Sequence, residues 1–150
     1  MSKKEYILHW IDQVSEMRPE IGGFPICPYA KKALYEIIDT SVEDIKPVSG
    51  YDVVIYIIED DLSIGEIHNW VKFYNNQYPE WEFFEDCASY KNYINGIQTN
   101  NDKYNLILCQ NKQKLRQIRE KLVKSKYYSY WDSEYLKKIL GDDYDLVYSG

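Results

Sequence analysis

Apolar side chains recur every three or four residues in five stretches of the chain, a spacing that predicts amphipathic helices. Ser63 and Glu66 have the spacing of a capping box, which marks the start of the third of them. Pro28 suits the first turn of the second, where its missing N–H would lack a partner anyway. The predicted helices are residues 5–17, residues 28–38, a segment from Ser63 to a stop at Pro79, residues 112–124, and a short segment from Ser133.

Three further stretches have the composition of β-strands. Residues 52–58 are apolar on both faces and rich in β-branched side chains, which predicts a central strand covered on both sides. Residues 104–109 predict a second strand, and the aromatic residues 81–85 a third. Residues 86–103 are polar and Asn-rich, so we expect a long loop there. The acidic residues 142–150 are expected to form a loose tail.

The composition and the order of these elements bound the class of protein. Apolar residues make up 45% and charged residues 28% of the 150-residue chain, as in folded domains. Strands and helices alternate without a linker or a repeat, so we predict one domain spanning residues 1–150. Its fold class is mixed α/β: a small sandwich in which helices cover a mixed sheet of three to five strands.

Charge, cysteine count and hydropathy exclude several other classes. No apolar run reaches the roughly 18 residues of a membrane helix, and no short apolar signal core follows Met1. We therefore predict a cytoplasmic protein that does not enter the membrane. The three cysteines are odd in number and widely spaced, which argues against a disulfide framework and against zinc. We expect no metal and no cofactor.

Cys27 precedes Pro28 at the predicted start of the second helix. Unpaired N–H groups and the helix dipole stabilise a thiolate at such a position. Lys31 adds positive charge in the next turn. These residues predict a reactive thiol, with Cys27 as the nucleophile and Lys31 lowering its pKa. The alternative is a small apolar side chain that only packs at the helix end.

The motif Cys27-Pro28-Tyr29-Ala30 resembles the glutaredoxins of the thioredoxin-like superfamily, which have Cys-Pro-Tyr-Cys at a helix start. The resemblance implies a thioredoxin-like fold, a small thiol such as glutathione as partner, and binding roles for Pro28, Tyr29 and Pro79. Pro79 falls near the family's cis-proline. Because Ala30 replaces the second cysteine, only a single-cysteine mechanism is open. The stretch is also similar to an uncharacterised bacterial family with Cys-Pro-Phe-Ala-Lys, and a ferredoxin-like arrangement is the rival fold.

Residues 112–126 concentrate positive charge in an acidic chain. Seven bases and one acid give the segment a charge of +6, although the whole chain carries −6. Bases beside aromatic rings can bind phosphates and stack on nucleic-acid bases. The same pattern fits a solvated helix face with aromatic residues packed behind it. The candidate binding residues are Lys112, Arg116, Arg119, Tyr128 and Trp131.

Three hypotheses about function follow from these features. We expect a non-catalytic interaction or accessory protein with a protein partner, because no nucleotide loop and no hydrolase motif is present. The first alternative is a single-cysteine thiol-redox protein that uses Cys27. The second is nucleic-acid binding through the basic helix, against which the net negative charge counts. The sequence leaves open whether the protein is an enzyme.

Overall fold

The computed structural model describes residues 1–19, 27, 29–30, 32–94, 96–131 and 133–149. The helices of these residues are α1 (Lys3–Val14), α2 (Ile64–Gln77), α3 (Lys112–Lys124), α4 (Ser133–Leu140) and α5 (Asp145–Ser149). The strands are β1 (Tyr35–Thr40), β2 (Val53–Ile58), β3 (Trp81–Cys87), β4 (Tyr93–Ile94), β5 (Ile97–Gln98) and β6 (Asn105–Asn111). None of the helices in the described ranges is long and apolar enough to cross a bilayer.

Four strands form one mixed sheet in the order β1-β2-β6-β3. β1 and β2 are parallel, whereas β6 is antiparallel to both β2 and β3. β4 and β5 pair separately as a short hairpin. All six residues of β2 are buried, which confirms the prediction of a central strand covered on both sides. The mixed α/β class is confirmed as well.

α1 and α2 cover opposite faces of this sheet. On one face, Ile7 and Ile11 of α1 pack with Ile55 and Leu106 of the two central strands. On the other face, Ile67 and Tyr74 of α2 belong to a cluster with the alternate residues of β2, with Phe83 of β3 and with Ile107 and Cys109 of β6. The period-2 alternation of strand side chains therefore divides the sheet between two cores.

A third apolar cluster lies between α3, α4 and the β4–β5 hairpin. Its buried members are Ile94, Leu122, Tyr127, Tyr128, Leu136 and Leu140. Leu122 of α3 and Leu136 of α4 come from the apolar stripes predicted for these helices. α3 and α4 lie beside the β3 edge of the sheet. This position is shown by Arg119 of α3, which contacts Glu82 of β3.

α2 begins at its predicted capping box, and a side chain also caps the start of α3. The Ser63 hydroxyl accepts from the Glu66 N–H at 3.2 Å, and Glu66 Oε1 accepts from the Ser63 N–H at 3.0 Å, so the capping box of α2 is confirmed. Asn111 Oδ1 accepts from the Lys114 N–H at 3.1 Å and caps α3. The predicted helix 112–124 is therefore confirmed to the residue.

The helix predicted at residues 28–38 is wrong. Residues 29, 30 and 32 are in turns, and residues 35–40 form β1. Tyr35 and Ile37 pack on the α1 side of the sheet, whereas Ile38 packs on the α2 side. The apolar positions of this stretch thus fit the spacing of a helix as well as that of a strand, and its parallel pairing with β2 selects the strand.

Two other expectations about the chain are corrected. The predicted loop at residues 86–103 contains the end of β3 and the β4–β5 hairpin. The tail expected to be loose forms a 3-10 helix, Gly141–Tyr144, followed by α5. The tail is held because Arg116 of α3 forms ion pairs with Asp143 and Asp145.

The Tyr78–Pro79 peptide bond is trans, so the cis-proline implied by the glutaredoxin resemblance is not formed here. Pro79 itself is exposed, one residue beyond the cap of α2. The order β2, α2, β3, β6, α3 contains the predicted strand–helix–strand–strand–helix core. The thioredoxin-like relationship stays a prediction.

Candidate binding groove

β3 lies at one edge of the sheet, next to β6. The backbone N–H and C=O groups of every second residue of β3 point away from β6. Phe83 shows the direction, because its N–H donates to Asn75 Oδ1 at 2.8 Å and its C=O accepts from Asn75 Nδ2 at 3.0 Å. Residues of an antiparallel pair alternate between facing the partner and facing away. The backbone groups of Trp81, Glu85 and Cys87 therefore also point out of the sheet.

Part of this outward edge is already satisfied. The Trp81 N–H donates to the Tyr78 carbonyl at 3.0 Å. The Cys87 carbonyl accepts from the Tyr90 N–H and from Asn100 Nδ2, both at 3.1 Å. Such blocking is how natural sheets prevent strand addition along an edge. Among the described residues, the outward backbone groups of this edge that have no partner are both groups of Glu85, the C=O of Trp81 and the N–H of Cys87.

A groove of about 590 Å³ runs along this edge between α2 and α4. Its apolar lining includes Val71 of α2, Phe84 of β3 and Ile139 of α4. Phe84 and Ile139 are half-buried. The volume and the apolar lining with a few polar groups match those of ligand-binding sites.

The acidic groups inside the groove already have partners. Glu85 Oε1 lies 2.8 Å from His68 Nδ1. Glu82 Oε2 lies 3.0 Å from Arg119 Nη2. Burial raises the pKa of Glu82 more than the charge of Arg119 lowers it.

The basic side chains on the two rims of the groove, one on α2 and one on α4, have no carboxylate partner among the described residues, unlike the acidic groups inside it. Lys72 of α2 and Lys138 of α4 are exposed and form no ion pair with a described carboxylate. The ammonium of Lys138 lies 4.7 Å from the centre of the Tyr90 ring, which is itself 46% exposed. The groove thus has an apolar floor and two positively charged rims.

Arg119 joins the groove to the C-terminal helices. Its guanidinium contacts Asp143 Oδ2 at 3.0 Å and the Ile139 carbonyl at 3.0 Å, in addition to Glu82. The side chain is only 7% exposed. Arg116, one turn earlier, lies 2.7 Å from Asp143 and 3.2 Å from Asp145. A phosphate would have to break these ion pairs to reach either arginine.

Of the other residues predicted for nucleic-acid binding, the two aromatic residues pack together in the third apolar cluster and Lys112 lies at the start of α3. Tyr128 is buried and Trp131 is half-buried, and their ring centroids are 5.3 Å apart within the third cluster. Because these rings pack against Tyr127 and Tyr135, their faces are occupied by protein. Lys112 is exposed at the start of α3.

Cys27 lies in a turn instead of at a helix start. Its carbonyl accepts from the Ala30 N–H at 3.1 Å, and its N–H donates to the Val14 carbonyl at 2.8 Å. The residue as a whole is exposed, but burial of its sulfur raises the pKa of the thiol. Hydrogen bonds from the Tyr29 and Ala30 N–H groups lower the pKa by less. The environment of the sulfur decides reactivity, because only the thiolate attacks.

The remaining residues of the motif contribute no nearby charge in the described part of the chain. Pro28 and Lys31 lie outside the described residues. Tyr29 is half-buried and packs at the margin of the third cluster. The predicted lowering of the pKa of Cys27 by a helix start therefore loses its structural basis, since the described residues 29, 30 and 32 are in turns.

We expect iodoacetamide to modify Cys27 slowly at pH 7, with an apparent pKa above the value of about 8.5 for an ordinary thiol. The measurement is the rate of alkylation against pH, followed by mass spectrometry of the peptide that contains Cys27. Cys87 and Cys109 are buried and serve as internal references that react only on unfolding. An apparent pKa well below 8.5 would contradict this expectation and restore the thiol hypothesis.

Comparison with family models, with curated proteins and with solved structures found no match for this chain. The groove therefore has to be interpreted from its own residues. No motif or spacing in the sequence connects the groove residues His68, Lys72, Phe84 and Lys138. One signal was present: residues 81–85 do not alternate cleanly, which is typical of an edge strand whose two faces are both partly covered.

Proposed function

We propose that the protein is a non-catalytic interaction module that binds another protein through the groove between α2, β3 and α4. The observation that carries the proposal is the unpartnered backbone of Glu85 at the bottom of an apolar groove. A segment of a partner can pair with such an edge while its side chains fill the floor. A second groove of about 570 Å³ lies beside this one, but its lining residues are mostly polar or charged.

Two further observations support this function over the alternatives. The raised pKa of Cys27 leaves little thiolate at neutral pH, which disfavours thiol chemistry. Arg116 and Arg119 are engaged with carboxylates, which disfavours phosphate binding by α3. We also propose that the protein acts in the cytoplasm, because its three cysteines are free thiols, as is typical of a reducing compartment.

Selection of peptides from a random display library tests the proposal. Gly65 lines the groove, and a Cβ added there would meet only Ser63 Oγ, at 3.9 Å. Gly65→Trp should therefore fill the groove without disturbing α2. Gln117→Trp, on the exposed face of α3, is the matched control.

We expect selected peptides to bind the wild-type protein and Gln117→Trp equally and to lose about tenfold or more in affinity for Gly65→Trp. In two-dimensional NMR spectra, the backbone amides of Phe84 and Glu85 should shift on binding. Binding that survives Gly65→Trp, or shifts confined to other surfaces, would refute the groove as the interaction site.

A further inference from the structure

We propose that the segment bound in this groove is extended and acidic, with one apolar anchor side chain. The inference rests on the proposed function and specifies the chemistry of the partner. It is built from three properties of the groove: the length of the free backbone edge, the position of the apolar floor, and the sign of the unpaired charges on its rims.

The free edge fixes the conformation and the reach of the partner. Glu85 offers one N–H and one C=O, whereas Asn75 occupies the same groups of Phe83 and the Tyr90 loop occupies the carbonyl of Cys87. An extended residue of the partner can exchange both hydrogen bonds with Glu85. Asn75 blocks further pairing on the Phe83 side, and on the other side only the N–H of Cys87 is left, so the partner adds a short piece of strand and no long ladder.

The alternation of side chains along the extended partner then determines which of its residues can be the apolar anchor. The side chain directly opposite Glu85 lies on the α2 face, and its neighbours along the partner lie on the opposite face. On that opposite face the floor is formed by Phe84 of β3 and Ile139 of α4. An apolar residue next to the paired one can therefore bury its side chain there, while the paired residue itself cannot be acidic, because like charges directly opposite repel.

The rims select the charge of the flanking residues. Lys72 stands on the α2 side and Lys138 on the α4 side, both without a described carboxylate partner. Glu82 and Glu85 are engaged with Arg119 and His68. With His68 counted as neutral, three bases and two acids give the lining a net charge of +1, on a chain of net charge −6. Acidic residues that flank the anchor meet these lysines, and the local field steers such a segment to the groove.

Fluorescence anisotropy with a labelled peptide, Asp-Glu-Thr-Phe-Thr-Glu-Asp, tests the inference. Three matched peptides vary one property each: lysines in place of the four acids, alanine in place of phenylalanine, and N-methylation of both threonines. The protein variant carries Lys72→Glu and Lys138→Glu. The control variant carries Lys114→Glu and Lys121→Glu, the same change of charge on the exposed face of α3.

We expect each of the three altered peptides to bind about tenfold or more weakly than the acidic probe, and the affinity of the acidic probe to fall as salt rises. The Lys72→Glu, Lys138→Glu variant should lose binding by a similar factor, whereas the control variant should retain it. Circular dichroism and NMR spectra establish that both variants fold.

The result that overturns the inference is equal or tighter binding of the lysine peptide, or an equal loss in both double variants. If library peptides occupy the groove while the acidic probe does not bind, the proposed function stands and the acidic partner is refuted. If no peptide shifts the Glu85 amide, the proposed function and this inference fall together. An acidic probe that shifts Glu85 and is sensitive to Lys72 and Lys138 supports both.

Discussion

Replacing Arg119 with alanine is expected to lower the free energy of unfolding by about 3 kcal/mol, because it leaves the partly buried Glu82 carboxylate without its partner and removes one of the two partners of Asp143. The Arg119 side chain is 7% exposed, and those of Asp143 and Glu82 are 15% and 25% exposed. Asp143 keeps Arg116 at 2.7 Å when Arg119 is removed, so the uncompensated desolvation falls mainly on Glu82. The measurement is urea-induced unfolding of the wild type and the variant.

Arg116→Ala is the matched control for this prediction. Arg116 lies one turn away on the same helix and contacts the same Asp143, but its side chain is 40% exposed. Ion pairs in contact with solvent contribute about 1 kcal/mol or less. Equal losses for Arg116→Ala and Arg119→Ala would contradict the buried network. In a Glu82→Gln, Asp143→Asn background, the cost of Arg119→Ala should shrink, because no uncompensated charge remains.

Asp86→Asn is expected to stabilise the protein relative to the wild type by about 3 kcal/mol more at pH 7 than at pH 3. Burial raises the pKa of Asp86 to about 6, against the opposing effect of hydrogen bonds from Asn101. The Asn101 N–H and Nδ2 groups lie 2.8 and 2.6 Å from Asp86 Oδ1. An asparagine keeps that oxygen as acceptor and carries no charge to desolvate.

The direction of the pH dependence follows from proton binding. Between the unfolded pKa, near 4, and the folded pKa, about 6, the native state holds a proton that the unfolded state has lost. Asp86 therefore makes the wild type lose stability as pH rises through this window. Below this window Asp86 is protonated in both states, so the wild type has no charge to desolvate and its stability is not reduced by Asp86. A carboxyl resonance of Asp86 that titrates near 4, or a stability difference that is flat with pH, would contradict the prediction.

The sequence by itself determined the elements whose signals are local. The uninterrupted apolar run of β2 predicted a strand covered on both faces, because only the middle of a sheet buries both sides of a strand. Ser63 and Glu66 satisfy each other's backbone groups within one turn, so the start of α2 needed no tertiary contact. The same holds for Asn111 and α3, where the apolar spacing of Leu115 and Leu122 gave the whole helix.

Only the tertiary structure decided the secondary structure of residues 35–40. Their apolar positions fit a helix and a strand alike, and hydrogen bonding to β2 selects the strand. Because the predicted helix 28–38 is not formed, Cys27 does not have the helix dipole that was expected to lower the pKa of its thiol. A thiol takes its reactivity from the groups around it, which the motif Cys27-Pro28-Tyr29-Ala30 does not contain.

The groove and the role of the basic helix were also decided by tertiary structure. Arg119 lies 37 residues from Glu82 and 24 from Asp143 along the chain, and no periodicity connects them. Glu85 faces a groove only because β3 takes the edge position and α4 packs beside it. Local propensity and spacing act within a few residues, whereas strand order and helix docking depend on which distant surfaces are buried together. That is why the sequence predicted most of the helices and strands of this protein but not its groove.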